Sequence, residues 1–96
     1  MKRETVIELL IEHRKDLTQL SVKSLALFGS VARGENRPGS DVDFLVEFEG
    51  LATFDKYLDL KFFLEELLKC RVDLVTRKAL KSRLRPYVEK EAVYVA

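Results

Sequence analysis

The sequence predicts a small α/β domain whose sheet has at least three strands. Helical and strand-like patterns alternate along the chain in the order helix, strand, helix, strand, helix, strand, helix. Ninety-six residues suffice for a single domain, so we expect residues 1–96 to form one unit without a second substrate-holding lobe. These patterns leave open whether the strands pair in a parallel or a mixed sheet.

The composition is typical of a globular protein without a strong charge preference. There are 17 basic and 16 acidic residues, so the net charge of +1 predicts no partner by itself. Cys70 is the single cysteine and cannot form an intramolecular disulfide, so we expect a small, half-buried thiol. No apolar run approaches the roughly 20 residues of a membrane span. We therefore expect a cytoplasmic protein.

The first half of the chain predicts helix, strand and helix. Apolar residues recur at helical spacing from Thr5 to Leu20. His13 lies on that apolar face; we interpret it as a helix-edge histidine with a partly buried ring, and the alternative is an acid, base or ligand. The apolar run from Val22 to Phe28 predicts a buried strand that ends in a sharp turn at Gly29. A short helix is expected from Ser30 to Glu35.

The segment from Asp41 to Phe48 predicts a second strand by strict alternation. One face takes Val42, Phe44, Val46 and Phe48, and the other takes Asp41, Asp43, Leu45 and Glu47. The two aspartates are therefore expected to point the same way.

The second half of the chain predicts a long helix, a third strand and a helical end. Leucines and Tyr57 recur at helical steps as far as Leu68, and Arg71 to Thr76 is a short β-branched strand. Lys78 to Arg85 has a helical pattern. Pro86 either breaks that helix or opens another, which would carry Tyr87 to Ala92.

Gly29-Ser30 and the pair Asp41 and Asp43 carry the chemical signal. Gly29-Ser30 lies where a strand becomes a helix, and Asp41-Val42-Asp43 begins the next strand ten residues later. Glycine lets the backbone approach a phosphate, and the free amides of a helix start, with the serine hydroxyl, bind anions. Carboxylates at i and i+2 of a strand share one face, and Mg²⁺ prefers hard oxygen ligands together with substrate phosphates. This spacing predicts a metal and phosphate site.

Asp73 is the candidate for a third carboxylate. It is the only acid in a short apolar strand, where an unpaired buried charge would be costly, and a strand neighbouring Asp43 would bring it to the same site. Each candidate also has a simpler interpretation. These are an ordinary turn and helix N-cap at Gly29-Ser30, strand-end or solvent-facing carboxylates at Asp41 and Asp43, and an ion pair of Asp73 with Arg71 or Arg77.

The segment from Leu27 to Val46, LFGSVARGENRPGSDVDFLV, resembles the signature of the DNA polymerase β-type nucleotidyltransferase superfamily. In that signature Gly-Ser is followed after ten residues by Asp-X-Asp. The form is similar to the minimal nucleotidyltransferases, the MNT domains that pair with HEPN proteins in prokaryotes. The helix FDKYLDLKFFLEELL, the strand VDLVT and the ending EAVYVA extend the resemblance over nearly the whole chain. It implies a single small α+β domain with a short mixed sheet and helices packed on it.

The resemblance also implies roles for individual positions. The implied metal ligands and catalytic carboxylates are Asp41, Asp43 and Asp73, which would bind two Mg²⁺ ions, and Asp73 would assist the attacking hydroxyl. The implied nucleotide-binding residues are Gly29, Ser30, Arg33 and Ser40, with ATP as the substrate. Arg33 would contact a phosphate or clamp the strand-turn-helix, and Ser40 would cap or orient the loop. Cys70-Arg71 departs from the family pattern, since many relatives have a glycine-containing turn there.

The resemblance further implies a protein acceptor. In MNT and HEPN pairs the domain transfers AMP from ATP to a tyrosine of a HEPN ribonuclease toxin, so we expect this chain to be the antitoxin of such a partner. The alternative is a binding module that neutralises the partner by contact, favoured by the stretch from Lys69 to Arg85, which has seven basic residues and only Asp73 as an acid. Transfer to a small molecule or a nucleic-acid end is a third possibility, and no direct nucleic-acid ligand is expected.

Overall fold

The computed structural model describes residues 2–96; Met1, the first residue of the predicted domain, lies outside them. The strands are β1 (Val22–Phe28), β2 (Val42–Phe48), β3 (Val72–Thr76) and β4 (Val93–Tyr94). The helices are α1 (Arg3–Glu12), α2 (Arg14–Gln19), α3 (Gly29–Arg33), α4 (Phe54–Leu68) and α5 (Arg85–Glu91). A 3₁₀ turn over Arg77–Ala79 follows β3.

The four strands form one mixed sheet in the order β3-β2-β1-β4. β2 and β3 are parallel, whereas β1 runs antiparallel to both β2 and β4. The prediction of a small α+β domain with a short mixed sheet is therefore confirmed. Within residues 2–96, no helix is both long enough and apolar enough to cross a membrane.

The two faces of the sheet differ in what covers them. We call one the covered face: it packs on α1, α2 and α4 in a continuous apolar core that includes Leu10, Phe44 and Leu64. We call the other the site face: it carries the carboxylates and a smaller apolar cluster of Ala26, Leu45 and Leu80 beside α5. The alternation predicted for β2 places its residues on these two faces as expected.

The helix predicted from Thr5 to Leu20 is divided at His13, so the prediction of one continuous helix is wrong. In a continuous helix the His13 N–H would bond to the Leu9 carbonyl. Here the His13 ring nitrogen Nδ1 lies 2.7 Å from that carbonyl oxygen, and the N–H donates to Leu10 instead. The partly buried ring of His13, edge-on to Phe63, agrees with the predicted helix-edge position.

The predicted helix from Lys78 to Arg85 is also wrong, because only the 3₁₀ turn forms there. Leu80 has an extended backbone, which ends the turn and brings its side chain into the site-face cluster. Pro86 lies in the first turn of α5, where a missing N–H costs nothing, so the second alternative for this proline is confirmed. β4 was not predicted because two residues are too few to show the alternation of apolar and polar residues that marks a strand.

Candidate active site

Asp43 and Asp73 lie side by side on the site face, because the parallel pairing of β2 and β3 matches them in register. Partial burial raises the pKa of Asp43 to about 6, and the charges of Asp73 and Asp41 add to that effect. A side-chain hydrogen bond with Asp73 acts in the same direction, while the nearby Arg33 charge opposes it. Close carboxylates of this kind share a proton or attract a cation.

Asp73 is exposed, so the cost of a buried charge, from which its role was argued, does not arise. Its neighbours Val72 and Leu74 are buried against the covered face, and the alternation of β3 therefore turns Asp73 toward the site face. The expectation that a neighbouring strand brings it to Asp43 is confirmed. The ion-pair alternatives are not found, because Arg71 pairs with Asp41 at 3.4 Å and Arg77 with Glu89 at 2.7 Å.

Gly29 brings the backbone against Asp43. β1 ends at Phe28, which is the antiparallel partner of Asp43, and Gly29 follows with φ of +75°. A Cβ atom at Gly29 would lie 2.1 Å from Asp43 Oδ2, so no larger residue fits here without displacing that carboxylate. α3 starts at this glycine, which places the half-buried Ser30 beside the turn.

Arg33 lies between two carboxylates. Its Nε donates to Glu35 Oε2 at 3.0 Å, and its Nη1 donates to Glu91 Oε2 at 3.0 Å and to Glu91 Oε1 at 3.2 Å. Glu91 Oε1 also accepts the Gly29 N–H at 3.1 Å. Glu91 therefore contacts both Arg33 and the backbone at Gly29. Sequence reasoning missed Glu91, since no local pattern links it to a glycine 62 residues away.

Asp41 and Ser40 precede β2 in an exposed loop. The Ser40 hydroxyl oxygen accepts the Arg37 N–H at 3.0 Å, which links the two ends of the turn before β2. Asp41 is turned toward Arg71. Among the side chains of residues 2–96, no group of three or more His, Cys, Asp or Glu is drawn together closely enough to hold a metal ion.

The donor set nevertheless fits Mg²⁺. Asp43 and Asp73 offer adjacent hard oxygens, and a cation would replace the proton that their repulsion now favours. The contact that holds Asp41 aside is a surface ion pair, with 83% of the Arg71 side chain and 47% of the Asp41 side chain exposed. Such pairs contribute little, so a cation could draw Asp41 toward the other two carboxylates at low cost.

Cys70 is a half-buried thiol, as expected from the sequence. Burial raises its pKa above the ordinary value, which keeps the thiol in its unreactive protonated form.

Comparison with known proteins places these features in a family. The sequence profile of the nucleotidyltransferase domain matches residues 10–95. The protein adenylyltransferase MntA of Thermococcus cleftensis is 42% identical over 93 residues, which span 96% of this chain and 94% of the relative. A solved structure, provisionally named a minimal nucleotidyltransferase, is 40% identical and has a TM-score of 0.85, with 97% of this chain and 95% of that chain covered.

Two solved toxin–antitoxin complexes share the fold at lower identity. One, with AMP-PNP, has a TM-score of 0.72 and 21% identity over 100% of this chain and 73% of that chain. The other contains tri-AMPylated Shewanella oneidensis HEPN toxin and MNT antitoxin, with a TM-score of 0.66 and 19% identity over 94% of this chain and 71% of that chain. The family profile and the 42% identical relative decide the assignment. The chain belongs to the nucleotidyltransferase domain family and is a nucleotidyltransferase.

Proposed function

We propose that this chain is a Mg²⁺-dependent protein adenylyltransferase that transfers AMP from ATP to a tyrosine of a partner HEPN ribonuclease toxin and thereby acts as its antitoxin. The observation that carries this proposal is the in-register pair of Asp43 and Asp73 against the Gly29 turn. This arrangement supports the proposal because two carboxylates lie beside a glycine turn, and a glycine lets the backbone approach a phosphate closely.

The charges around the turn favour a metal-bound nucleotide. More negative than positive groups lie around it, five carboxylates and two guanidinium groups. The acids are Asp41, Asp43, Asp73, Glu35 and Glu91, and the bases are Arg33 and Arg71. A bare triphosphate would be repelled by this excess of negative charge. We assign the two Mg²⁺ ions to Asp41, Asp43 and Asp73, where they would neutralise the phosphates and stabilise the transition state.

The remaining residues have roles that follow from their positions. Gly29, Ser30 and Arg33 would hold the triphosphate, and Ser40 would keep the loop in place beside Asp41. The tyrosine oxygen of the acceptor would attack the α-phosphorus of ATP while the bond to the β-phosphate breaks and pyrophosphate leaves. Asp73, the exposed member of the pair, would take the tyrosine proton.

A protein acceptor is supported by two findings. The 42% identical relative is named a protein adenylyltransferase, and a more distant fold neighbour is a complex with an AMPylated HEPN toxin. Asp73 is also exposed on the site face, so a tyrosine presented by another protein can reach it.

The test is to incubate the purified chain with ATP, Mg²⁺ and the HEPN protein encoded beside it. We expect the HEPN protein to gain the mass of one or more AMP groups, located on tyrosine by peptide fragmentation. Chelation of Mg²⁺, or Asp43→Asn, should abolish the gain. An unmodified HEPN protein after incubation with folded wild-type chain would refute the proposal.

The second candidate is neutralisation by contact alone. It is favoured by the exposed basic residues of the stretch after α4, which include Lys69 before β3 and Lys78, Lys81 and Arg83 after it. The double substitution Asp41→Asn with Asp43→Asn separates the two functions in cells that express the toxin. Contact predicts full protection by the double variant, and adenylyl transfer predicts loss of protection.

A further inference from the structure

Glu91 connects the end of α5 to Gly29 and Arg33, two residues that the proposed function assigns to the triphosphate. Its carboxylate accepts the Gly29 N–H at 3.1 Å and the Arg33 guanidinium at 3.0 Å, across 62 and 58 residues of sequence. The Glu91 side chain is 29% exposed and that of Arg33 is 44% exposed, so the pair is partly shielded from water. A contact of this kind holds its partners more firmly than a fully exposed ion pair does.

The contacts of Arg33 with Glu35 and Glu91 leave the Nη2 nitrogen of its guanidinium for another acceptor. Glu35 takes Nε and Glu91 takes Nη1, whereas neither of these contacts uses Nη2. Arg33 is also close enough to the carboxylates to lower the pKa of Asp43, against the other influences on that group. A guanidinium held at both Nε and Nη1, and close to the site, is oriented in advance to donate from Nη2 to an anion.

We infer that Glu91 is a positioning residue for the nucleotide: it holds the Gly29 turn and the Arg33 guanidinium in the orientation that receives the triphosphate. This inference rests on the proposed function, because it assumes that the Gly29 turn and Arg33 contact phosphate. It assigns a part in nucleotide binding to α5, which lies outside both the Gly-Ser signature and the strands that carry the aspartates.

Glu89 provides a matched control on the same helix. It forms an ion pair with Arg77 at 2.7 Å, with side-chain exposures of 32% and 41% that are similar to those of the Glu91 and Arg33 pair. Loss of either glutamate removes one ion pair that anchors α5. Only the loss of Glu91 also frees the Gly29 turn and Arg33.

The experiment measures the affinity of AMP-PNP with Mg²⁺ by calorimetry for wild type, Glu91→Ala, Glu91→Gln and Glu89→Ala. We expect Glu91→Ala to weaken binding about tenfold, and Glu91→Gln, which keeps an acceptor for the Gly29 N–H, to weaken it about threefold. Glu89→Ala should bind like wild type. Arg33→Ala combined with Glu91→Ala should weaken binding by less than the product of the two single effects, because Glu91 acts partly through Arg33.

The outcomes separate this inference from the proposed function. Unchanged binding by Glu91→Ala would overturn the inference. Tighter binding would also overturn it, because it would mean that Glu91 competes with phosphate. An equal loss in Glu89→Ala would also overturn it, since the effect would then be a general one of anchoring α5. If Glu91→Ala does not fold, the isosteric Glu91→Gln decides between the same outcomes. Absence of AMP-PNP binding by wild type with Mg²⁺ would instead contradict the proposed function.

Discussion

The covered face and the site face are built from alternate residues of the same strands, but the first is apolar and the second carries acidic side chains. On the covered face every inward residue of β2 is apolar and buried, and Phe44 is fully inaccessible. On the site face Asp43 and Asp73 replace that apolar contact, and only Leu45 between Asp43 and Glu47 packs into a small cluster. Stability therefore resides mainly on one face, and the other tolerates repulsive charge that the chemistry requires.

This division predicts that substitutions on the two faces have opposite signatures. Those on the site face should remove nucleotidyl transfer with little loss of folding free energy. Those on the covered face should unfold the protein before they alter the site.

The largest effect is expected for Asp73→Asn. Removing one charged oxygen from the carboxylate pair should lower the rate of AMP transfer by about 1,000-fold, because metal binding and proton removal are both impaired. The rate of AMP incorporation into the acceptor measures this effect. Asp59→Asn, an exposed position on α4, is the control and should retain the wild-type rate. A loss of less than tenfold in Asp73→Asn would contradict the assigned role.

Leu64→Ala should give the opposite signature. Leu64 is 0% exposed in the core of the covered face, so the substitution should lower the free energy of unfolding by about 3 kcal/mol. Urea denaturation measures the change. Leu51→Ala, at a position that is 79% exposed, should have almost no effect. Equal stability changes for the two leucines would show that the covered face is not the main source of stability.

Gly29→Ala tests the contact between the turn and Asp43. Its Cβ would meet the Asp43 carboxylate, whereas a Cβ at Gly34, which has nearly the same φ of +73°, meets nothing within 4 Å. Both substitutions incur a backbone cost of about 1 kcal/mol, so we expect a loss of unfolding free energy about 2 kcal/mol larger at Gly29 than at Gly34. Only Gly29→Ala should also reduce AMP transfer. Equal effects of the two substitutions on unfolding and on transfer would refute the close approach.

Asp43→Asn should slightly stabilise the metal-free protein at neutral pH. The folded-state pKa of about 6 lies above the ordinary value of 3.8, so wild type loses stability as the pH rises through that interval. The variant avoids this cost and should be more stable by about 1 kcal/mol at pH 7 and no more stable at pH 3.5. Thermal unfolding at the two pH values measures the difference. A stability difference independent of pH would contradict the raised pKa that partial burial and the charges of Asp73 and Asp41 give Asp43.

Features encoded in short sequence windows were predicted from the sequence. The alternation of β2 placed Asp43 opposite Phe44, and the Gly-Ser spacing located the turn at Gly29, because both depend on residues close together in the chain. The same alternation, applied to β3, would have shown Asp73 to be exposed. The prediction from the cost of a buried charge did not use that alternation.

Features that depend on distant contacts were not predicted. The break at His13 arises when its ring takes a carbonyl that the helix would use, and Leu80 becomes extended to reach Leu45 on another strand. Glu91 meets Gly29 only after the sheet has formed. Helical propensity alone could not identify these departures because tertiary packing decides them.

The most direct test of the site is to follow the ¹³C carboxyl signals of Asp43 and Asp73 by NMR during pH titration, with and without Mg²⁺. In the metal-free protein we expect Asp43 to titrate with an apparent pKa of about 6, because partial burial and the charges of Asp73 and Asp41 outweigh the opposing charge of Arg33. Mg²⁺ should lower that pKa and shift both signals, because the cation stabilises the ionised pair. An Asp43 signal that titrates near 3.8 and does not respond to Mg²⁺ would contradict the assignment of this face as the metal and nucleotide site.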